Sequence, residues 1–335
     1  MKLSIAEAHR LVSETLEKNR VSPANAAAVA RALVEAEAVG QSGHGLRRVE
    51  AYSLQARIGK VDGFARPVVE ESRPGVLKAD AASGFAYPAF ECVLPRLADV
   101  ALRQGIAVAA VSRSHHAGVL GLHVEYLANR GLVALMVANA PAAMAAWGGR
   151  RPMFGTNPVA FAAPIAGSDP VVIDMALSTV ARGRLIKAAQ KGEPIPEDWA
   201  LGPDGNPTTD PKVGLAGTMM PSGGAKGAAL AMMVDLMAAG LTGAQFGFEA
   251  SSLLDDKGPS PAIGQTIVAI DPQATGGSAD YMARLAEELG REEGVRLPGR
   301  RGADARRRSL ESGIEVDDDV LEAIRALQSN SRKSA

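Results

Sequence analysis

Short apolar runs of the kind found in buried strands are concentrated in the middle of this chain. Such runs, rich in valine, isoleucine and alanine, suit strands covered on both faces, although a short apolar run can also be helix. Segments with helical periodicity lie between them, at 120–129 and 228–239. The alternation predicts an α/β sheet domain with covering helices. The predicted strands are 106–111, 132–138, 158–163, 171–175 and 266–270.

The chain on either side of these runs has the pattern of helices. Ser4 and Glu7 have the spacing of a capping box, which favours a first helix directly after them. Ser22 followed by Pro23 predicts the start of a second helix. From residue 279 onward the pattern is helical again.

Turn-forming residues are concentrated in the segment 186–222, above all in Pro203-Asp204-Gly205-Asn206-Pro207. Proline, glycine, asparagine and aspartate favour turns for separate steric and hydrogen-bonding reasons. Long connections inside a compact domain are often functional. We therefore predict one long functional loop over this segment.

Composition excludes several classes of partner. The formal net charge is -1, so nothing global attracts the chain to nucleic acid or to an anionic membrane. No run approaches the ~20 apolar residues of a membrane span. Cys92 is the only cysteine, which excludes an intramolecular disulfide and fits a reducing cytoplasm. Since it lies in an apolar, helix-like run, we expect it in an inert core.

A histidine, an arginine and a tyrosine share a helical spacing. A third helical segment is predicted from about residue 45 to 58; if it begins near His44, then His44, Arg48 and Tyr52 recur at i, i+4 and i+8. An imidazole can exchange the proton that accompanies hydride transfer, and a guanidinium fork suits a substrate carboxylate. The alternative is a surface helix with a capping histidine, and spacing alone leaves both interpretations open.

The dinucleotide fingerprint of the Rossmann fold is absent. Gly43-His44-Gly45 is the only Gly-x-Gly in the chain, and Arg48 stands where the third glycine belongs. The segment also does not follow a predicted strand, as the fingerprint requires. Any nicotinamide cofactor must therefore be held in another way.

Two more histidines follow the predicted strand 106–111. His115 and His116 come directly after it, and ligands in α/β sheets usually bind at the carboxyl ends of strands. Metal binding by these two with His123 is the competing interpretation. Adjacent residues diverge, however, and no glutamate of a zinc-protease signature accompanies them. We expect no metal site and leave a site histidine or a loop histidine open.

Gly224-Ala225-Lys226-Gly227 opens the predicted helix at 228. Backbone N–H groups at a helix start, with one lysine, form a plausible anion cradle, whereas an ordinary helix-entry loop is the structural alternative. A P-loop needs serine or threonine after the lysine, and Gly227 stands there instead. ATP use is therefore not expected.

Asp174 ends the apolar run 171–175, where an isolated buried carboxylate would be costly, so it is expected in a pair, at a site or facing solvent. A basic group follows, formed by Arg182, Arg184 and Lys187. It could meet the 2′-phosphate of NADP, although such a group is often only a solvated face. The group favours NADP modestly over NAD.

Together these segments resemble the malate and L-lactate dehydrogenase family, nicotinamide-dependent oxidoreductases that lack the Rossmann fold. The family includes ureidoglycolate dehydrogenase, sulfolactate dehydrogenase, diketogulonate reductase and the cyclic ketimine reductases. The matching segments keep the family order over nearly the whole chain. They are Gly43-His44-Gly45 with Arg48 and Tyr52, His116-Ala117-Gly118, Phe154-Gly155-Thr156-Asn157-Pro158, Asp174-Met175-Ala176, Pro207-Thr208-Thr209-Asp210-Pro211, Gly224-Ala225-Lys226-Gly227 and Leu297-Pro298-Gly299.

The resemblance implies a non-Rossmann, mixed-sheet cofactor domain beside a helical domain built from both termini, usually as a homodimer. The order of helix, sheet and helix along the chain agrees with this. We predict a helical domain over 1–75, to which 276–335 returns, and an α/β cofactor-binding domain over 76–275.

Roles for individual residues also follow from the resemblance. It makes His44 a candidate proton donor, His116 a second acid–base histidine and Asp174 a partner of the histidine. The implied substrate contacts are Arg48, Tyr52, Thr156 and Asn157. The implied cofactor contacts are His116, Asp174, Met175, Ala176, Lys226 and Gly227, to which the basic group adds Arg182 and Arg184.

One position departs from the family pattern. Relatives often carry serine directly before the site histidine, where it can join a Ser–His–Asp relay. Here Gly43 stands there and Ser42 is one residue earlier, so the relay serine is not carried over. The form Gly-Gln-x-Gly-His-Gly is similar to that of the sulfolactate dehydrogenases.

The expected function is hydride transfer between NAD or NADP and a small 2-hydroxy or 2-oxo acid of the malate, lactate or sulfolactate type. A cyclic ketimine such as pyrroline-2-carboxylate is the alternative substrate, because it too presents a carboxylate beside the carbon that accepts hydride. An alternative of another class is a non-catalytic relative that binds a dinucleotide or a carboxylate. The missing serine before His44 is its main support.

Overall fold

The two ends of the chain meet in one helical layer. In the computed structural model, which describes residues 1–330, β1 (Lys2–Leu3) pairs with β13 (Ile314–Glu315), and the first and last helices pack together. The helices are α1 (Ile5–Glu17), α2 (Pro23–Ala38), α3 (Arg48–Ile58), α4 (Ala86–Gln104), α5 (Leu120–Ala128), α6 (Arg182–Lys191), α7 (Pro211–Ala216), α8 (Ala225–Asp235), α9 (Ala279–Gly290), α10 (Arg300–Ser312) and α11 (Asp318–Asn330).

The remaining strands lie between α3 and α9. They are β2 (Val68–Arg73), β3 (Val76–Asp80), β4 (Ile106–Ser114), β5 (Val133–Ala138), β6 (Met144–Ala145), β7 (Pro152–Phe154), β8 (Val159–Ala163), β9 (Val171–Met175), β10 (Ala200–Leu201), β11 (Thr218–Met219) and β12 (Ile263–Ile270). Short 3-10 or π turns occur at Ser42–His44, Leu236–Gly240 and Pro272–Thr275.

A seven-stranded mixed sheet forms the centre of the fold, in the order β2-β3-β4-β12-β5-β8-β9. Only β3 and β4 pair in parallel within it, because β12 returns from late in the chain and inserts antiparallel between β4 and β5. All five predicted strands belong to this sheet, so the predicted α/β sheet with covering helices is confirmed. The sequence did not predict β2 and β3, which lie at one edge of this sheet. β2 is largely polar and exposed there.

The predicted helix starts are confirmed at the N-terminus. Ser4 accepts a hydrogen bond from the Glu7 N–H while the Glu7 carboxylate accepts one from the Ser4 N–H, which completes the capping box. Ser22 caps α2, and Pro23 occupies its first turn. Both caps satisfy N–H groups that the helix itself cannot pair.

The third helix begins at Arg48 and not at residue 45. The Glu37 carboxylate accepts a hydrogen bond from the Leu46 N–H at 2.9 Å, and a Cβ on Gly45 would lie 2.1 Å from that carboxylate. Gly45 has a ψ of -138°, outside the helical region, and this separates the turn that carries His44 from α3. The break is therefore built by a glycine and a carboxylate from α2.

The segment 186–222 is not one long loop, and that prediction is wrong. It contains the end of α6, the short helix α7, and β10 and β11, which join β6 and β7 in a four-stranded sheet. Asp210 caps α7, and Pro211 occupies its first turn. The turn-forming residues thus mark boundaries between short elements.

Cys92 is exposed on α4, so the prediction of an inert core position is wrong. The buried face of this helix is carried by its neighbours Ala89, Phe90, Val93 and Leu97. Cys92 lies one step away from that face on the helical wheel.

The predicted division at residues 75 and 76 falls in the turn that joins β2 to β3, and the division into two domains stays a prediction. Among residues 1–330, no helix has the length and apolarity needed to cross a bilayer.

Candidate active site

Three elements bring the candidate residues together. The 3-10 turn Ser42–His44 carries His44, α3 carries Arg48 and Tyr52, and the segment after β4 carries His116. The site therefore lies where the N-terminal helices meet the carboxyl end of a central strand, the usual place for ligands in open α/β sheets.

His116 lies between His44 and Tyr52. Its Nε2 is 3.1 Å from His44 Nδ1, and its Nδ1 is 2.6 Å from the Tyr52 hydroxyl. The two imidazoles stack, with ring centroids 5.1 Å apart. The Tyr52 hydroxyl also lies 3.2 Å from that of Tyr87. We call this chain of four side chains the histidine–tyrosine row.

The protein environment keeps the row uncharged near neutral pH. Burial, followed by the charge of Arg48, lowers the pKa of His44 to about 4. Burial and the same arginine hold the pKa of His116 well below its usual range. Burial raises the pKa of Tyr52 well above its ordinary value and that of Tyr87 to about 12.

Arg48 supplies the positive charge of the site. Its Nε donates a hydrogen bond to the Gly43 carbonyl at 2.8 Å, and this contact orients the guanidinium group. No carboxylate among residues 1–330 forms an ion pair with it. The terminal N–H groups can therefore serve an anionic ligand, as a bidentate carboxylate contact requires.

Asp174 lies at the end of the edge strand β9. Its Oδ2 accepts a hydrogen bond of 2.7 Å from the Gly121 N–H in the first turn of α5. The side chain keeps access to solvent, yet desolvation by the surrounding protein raises the pKa of the carboxyl. The predicted pairing with a histidine is not formed within residues 1–330, because the carboxylate caps α5 and His44 Nδ1 contacts His116.

Asn157 and Thr156 form hydrogen bonds with main-chain groups. Asn157 is fully buried; its Oδ1 accepts from the Ala140 N–H, and its Nδ2 donates to the Ala231 carbonyl at 2.8 Å. The carbonyl of the half-buried Thr156 accepts from the Leu177 N–H at 2.8 Å. Asn157 therefore fixes the start of β8 against α8, and its predicted substrate contact stays a prediction.

The predicted cofactor positions lie on exposed ends of elements. Met175 is 52% exposed, Ala176 follows it, and Lys226 is exposed in the first turn of α8. A Cβ on Gly227 would lie 1.9 Å from the Ser222 carbonyl oxygen, so this glycine allows the close approach of loop and helix.

The basic group at the start of α6 is partly desolvated. Arg182 is half-buried, and burial lowers its pKa, while Arg184 and Lys187 are exposed. No carboxylate among the described residues pairs with Arg182. An anion would therefore find an uncompensated guanidinium there.

Two further histidines, His115 and His123, form hydrogen bonds outside the row. His115 Nε2 contacts Gln55 Oε1 at 2.8 Å, and His123 Nε2 contacts the Ala117 carbonyl at 3.0 Å. Within residues 1–330, no group of three or more histidine, cysteine, aspartate or glutamate side chains is arranged to hold a metal ion. Burial lowers the pKa of His115 to about 3.

Sequence reasoning missed Tyr87. It belongs to the apolar run of α4 and lies 35 residues from Tyr52, so no local spacing connects the two. The neighbouring glycine could have given a hint, since a Cβ on Gly118 would lie 2.6 Å from the Tyr87 hydroxyl.

Comparison with known proteins identifies the family. The family model described as malate/L-lactate dehydrogenase matches residues 3–325. The chain is 46% identical over 325 residues to (2R)-3-sulfolactate dehydrogenase (NADP(+)) of Chromohalobacter salexigens, covering 97% of each chain. It is 38% identical over 330 residues to Delta(1)-pyrroline-2-carboxylate reductase of Pseudomonas fluorescens, covering 97% of this chain and 98% of the relative.

Solved structures show the same fold. Delta1-piperideine-2-carboxylate reductase from Pseudomonas syringae matches with a TM-score of 0.92 and 37% identity, covering 98% of this chain and 99% of that one. Sulfolactate dehydrogenase from Methanocaldococcus jannaschii matches with a TM-score of 0.89 and 25% identity, covering 99% and 98%. The predicted fold and family are therefore confirmed, and the chain belongs to the malate/L-lactate dehydrogenase family.

Proposed function

We propose that this protein is an NADP-preferring oxidoreductase that transfers a hydride to and from C2 of a small 2-hydroxy or 2-oxo acid, with 3-sulfolactate and sulfopyruvate as its first substrate pair. The observation that carries the proposal is the contact between His44 and His116 beside the unpaired charge of Arg48. That arrangement offers a proton-exchanging group and a carboxylate-binding group next to each other.

Several exposed positions and one unpaired cation are suited to binding a dinucleotide. Asp174, Met175 and Lys226 lie on exposed ends of β9 and α8, and Arg182 is a half-buried cation with no carboxylate partner among residues 1–330. Bound NADP would supply or accept the hydride. In this assignment Lys226 and the α8 N-terminus bind phosphate, and Arg182 with Arg184 binds the 2′-phosphate.

The protein residues orient the acid and manage its proton. Arg48 would bind the carboxylate and thereby set C2 near His44. In the oxidative direction His44 takes the proton of the 2-hydroxyl group, and in reduction it returns a proton to the 2-oxo oxygen. Because the pKa of His44 is lowered to about 4, its neutral form is available as a base across the physiological range.

The relatives guide the choice of substrate. The relative with 46% identity over 97% of both chains is named for (2R)-3-sulfolactate and NADP(+). Gly43, where other relatives have serine, agrees with that subgroup by resemblance.

A cyclic ketimine reductase is the second candidate. Its support is the TM-score of 0.92 to delta1-piperideine-2-carboxylate reductase. Both substrate types place a carboxylate beside the carbon that accepts hydride, so Arg48 and His44 could serve either.

A substrate panel decides between them. NADPH and NADH oxidation would be followed with sulfopyruvate, oxaloacetate, pyruvate and the two cyclic ketimines. We expect the highest kcat/KM with sulfopyruvate and NADPH. A higher kcat/KM with a ketimine would transfer the assignment to that class, and tight NADPH binding without turnover on the whole panel would support a non-catalytic binding protein.

Arg48→Lys tests the carboxylate contact. Lysine keeps the charge but loses the planar fork, so we expect the KM for the acid to rise by at least ~10-fold while the KM for NADPH stays within about twofold. Steady-state kinetics with each reactant varied in turn would measure this. An unchanged KM for the acid would contradict the assignment.

The proposal extends to a homodimer in the cytoplasm. Exposed large apolar side chains on α8 and just after it offer a surface for a second copy: Leu230, Met233, Leu236 and Leu241. Light scattering coupled to gel filtration would test the dimer, and Leu230→Glu with Leu236→Glu should shift it to a monomer.

The single cysteine fits a reducing compartment.

A further inference from the structure

The histidine–tyrosine row begins at two buried hydroxyl groups. Tyr52 has no exposed surface and Tyr87 is 4% exposed, so neither phenol is open to bulk water. The Tyr52 hydroxyl has two contacts, with His116 Nδ1 at 2.6 Å and with the Tyr87 hydroxyl at 3.2 Å. The Tyr52 hydroxyl therefore serves His116, and the substrate contact that the family resemblance implies for Tyr52 stays a prediction.

The short contact fixes which atom is the donor. A distance of 2.6 Å lies below the usual range of about 2.7–3.2 Å for N–H donors and within that of O–H donors. Tyr52 therefore donates its proton to His116 Nδ1. Its oxygen can then accept from the Tyr87 hydroxyl, which gives that buried donor a partner.

The direction continues through both imidazoles. A neutral histidine carries one N–H, and with Nδ1 accepting, His116 carries it on Nε2. That nitrogen lies 3.1 Å from His44 Nδ1, which must accept, so His44 in turn carries its proton on Nε2. The opposite direction would leave the Tyr87 hydroxyl without an acceptor within residues 1–330.

We infer that Tyr52, supported by Tyr87, is a positioning residue that fixes His116 and His44 in their Nε2–H forms, so that His44 presents an N–H on its free ring nitrogen. The meaning for catalysis rests on the function proposed above: a neutral N–H is ready to polarise a 2-oxo oxygen, and the row must reverse before His44 can accept a proton. The tautomers themselves can be measured on the resting protein, whatever its substrate.

Nitrogen-15 histidine labelling of the full-length protein tests this directly. Long-range nitrogen–proton correlation spectra distinguish Nε2–H from Nδ1–H imidazoles, and His44→Gln and His116→Gln assign the two signals. We expect both residues in the Nε2–H form near pH 7.5. An Nδ1–H form of His116 in the unmodified protein would overturn the inference, and this measurement needs no variant of Tyr52.

Tyr52→Phe removes the donor and keeps the ring packed against Phe85 and His115. We expect His116 to become a mixture of tautomers. Because a hydrogen bond donated to the neutral ring opposes its protonation, the acid limb of kcat/KM should move upward by about half to one pH unit. Unchanged tautomers in the folded variant would contradict the inference.

Two further variants complete the comparison. Tyr87→Phe leaves the Tyr52 donor in place, so the tautomers should persist with a smaller shift of the pH profile. Tyr126→Phe is the matched control, since Tyr126, on α5, stacks with Arg130 beyond the end of that helix and is not part of the row. If the tautomers are as inferred but no substrate turns over, the proposed function fails and the tautomer assignment stands. If substrate turns over while His116 carries its proton on Nδ1, the tautomer assignment fails and the proposed function stands.

Discussion

His44 and His116 compete for the role of acid–base group, and each contacts the other. His44 lies at the end of the row with only Nδ1 engaged, whereas both ring nitrogens of His116 are in contact, one with His44 and one with Tyr52. The outer imidazole is therefore the one placed to meet a substrate.

His44→Ala should lower kcat by ~100-fold or more, the usual contribution of a general acid or base. NADPH affinity, measured by fluorescence titration, should change less than threefold because the imidazole serves the proton and not the dinucleotide. His116→Ala should cause a smaller loss. If His44→Ala remains active while His116→Ala is inactive, the two roles are exchanged.

The pH profile of oxidation should reflect the perturbed histidine. Burial lowers the pKa of His44 to about 4, so the neutral base persists as the pH falls. The kcat/KM for oxidation of the 2-hydroxy acid should stay constant from pH 8 to pH 5. Its pH profile should show no titration near the ordinary histidine pKa of ~6.5. Circular dichroism at each pH would show that the fold is retained, and a midpoint between pH 6 and 7 would be the contrary result.

Spacing predicted that His44, Arg48 and Tyr52 belong to one site, and the structure brings the three side chains together around His116 and Gly43. It did not predict that the row passes through a residue 72 positions away from His44, because that contact depends on where β4 ends. It also placed the helix start three residues early, since the break is made by Glu37 in the preceding helix. Local patterns thus found the components, and tertiary contacts decided their order.

At the scale of elements, contacts between helices and the segments beside them hold the site together. Asp174 caps α5, Asn157 ties β8 to α8, and Gly227 lets the 222–227 loop close on α8. All three were predicted as ligand contacts, and the structure gives each a mechanical role as well. A residue that belongs to a family motif can thus hold the structure around a site as well as contact a ligand.

Gly227→Ala tests the closest of these contacts. The added methyl group would lie 1.9 Å from the Ser222 carbonyl oxygen, so loop or helix must shift, and we expect a loss of ~1–3 kcal/mol in the free energy of unfolding. Urea denaturation would measure it. Gly183→Ala is the matched control, because it lies in the first turn of α6 with open space around it. Equal stability of both variants would show that the contact is unimportant.

At the scale of the whole molecule, the C-terminal helices return to the N-terminal ones. Arg306 of α10 pairs with Glu125 of α5 at 2.6 Å and with Glu35 of α2 at 3.2 Å. One guanidinium therefore joins three helices from distant parts of the sequence. The composition and the order of helix, sheet and helix predicted the layers but could not identify this junction.

Arg306→Ala should destabilise the protein by roughly 1–3 kcal/mol, because it leaves the largely buried Glu125 carboxylate without its partner. Arg307→Ala removes exposed ion pairs only, and such pairs are usually worth less than ~1 kcal/mol. Thermal unfolding of the two variants side by side would compare them. A larger loss for Arg307→Ala would reverse the assignment.

The position of β12 governs when the molecule can be completed during synthesis. This strand lies between β4 and β5, yet it is formed by Ile263–Ile270, after most of the chain has left the ribosome. Until then β4, which leads to His116, has an unpaired edge that exposes backbone donors and acceptors. Nascent chains that end before residue 263 should therefore need protection from aggregation, and the site should appear only when translation is nearly finished.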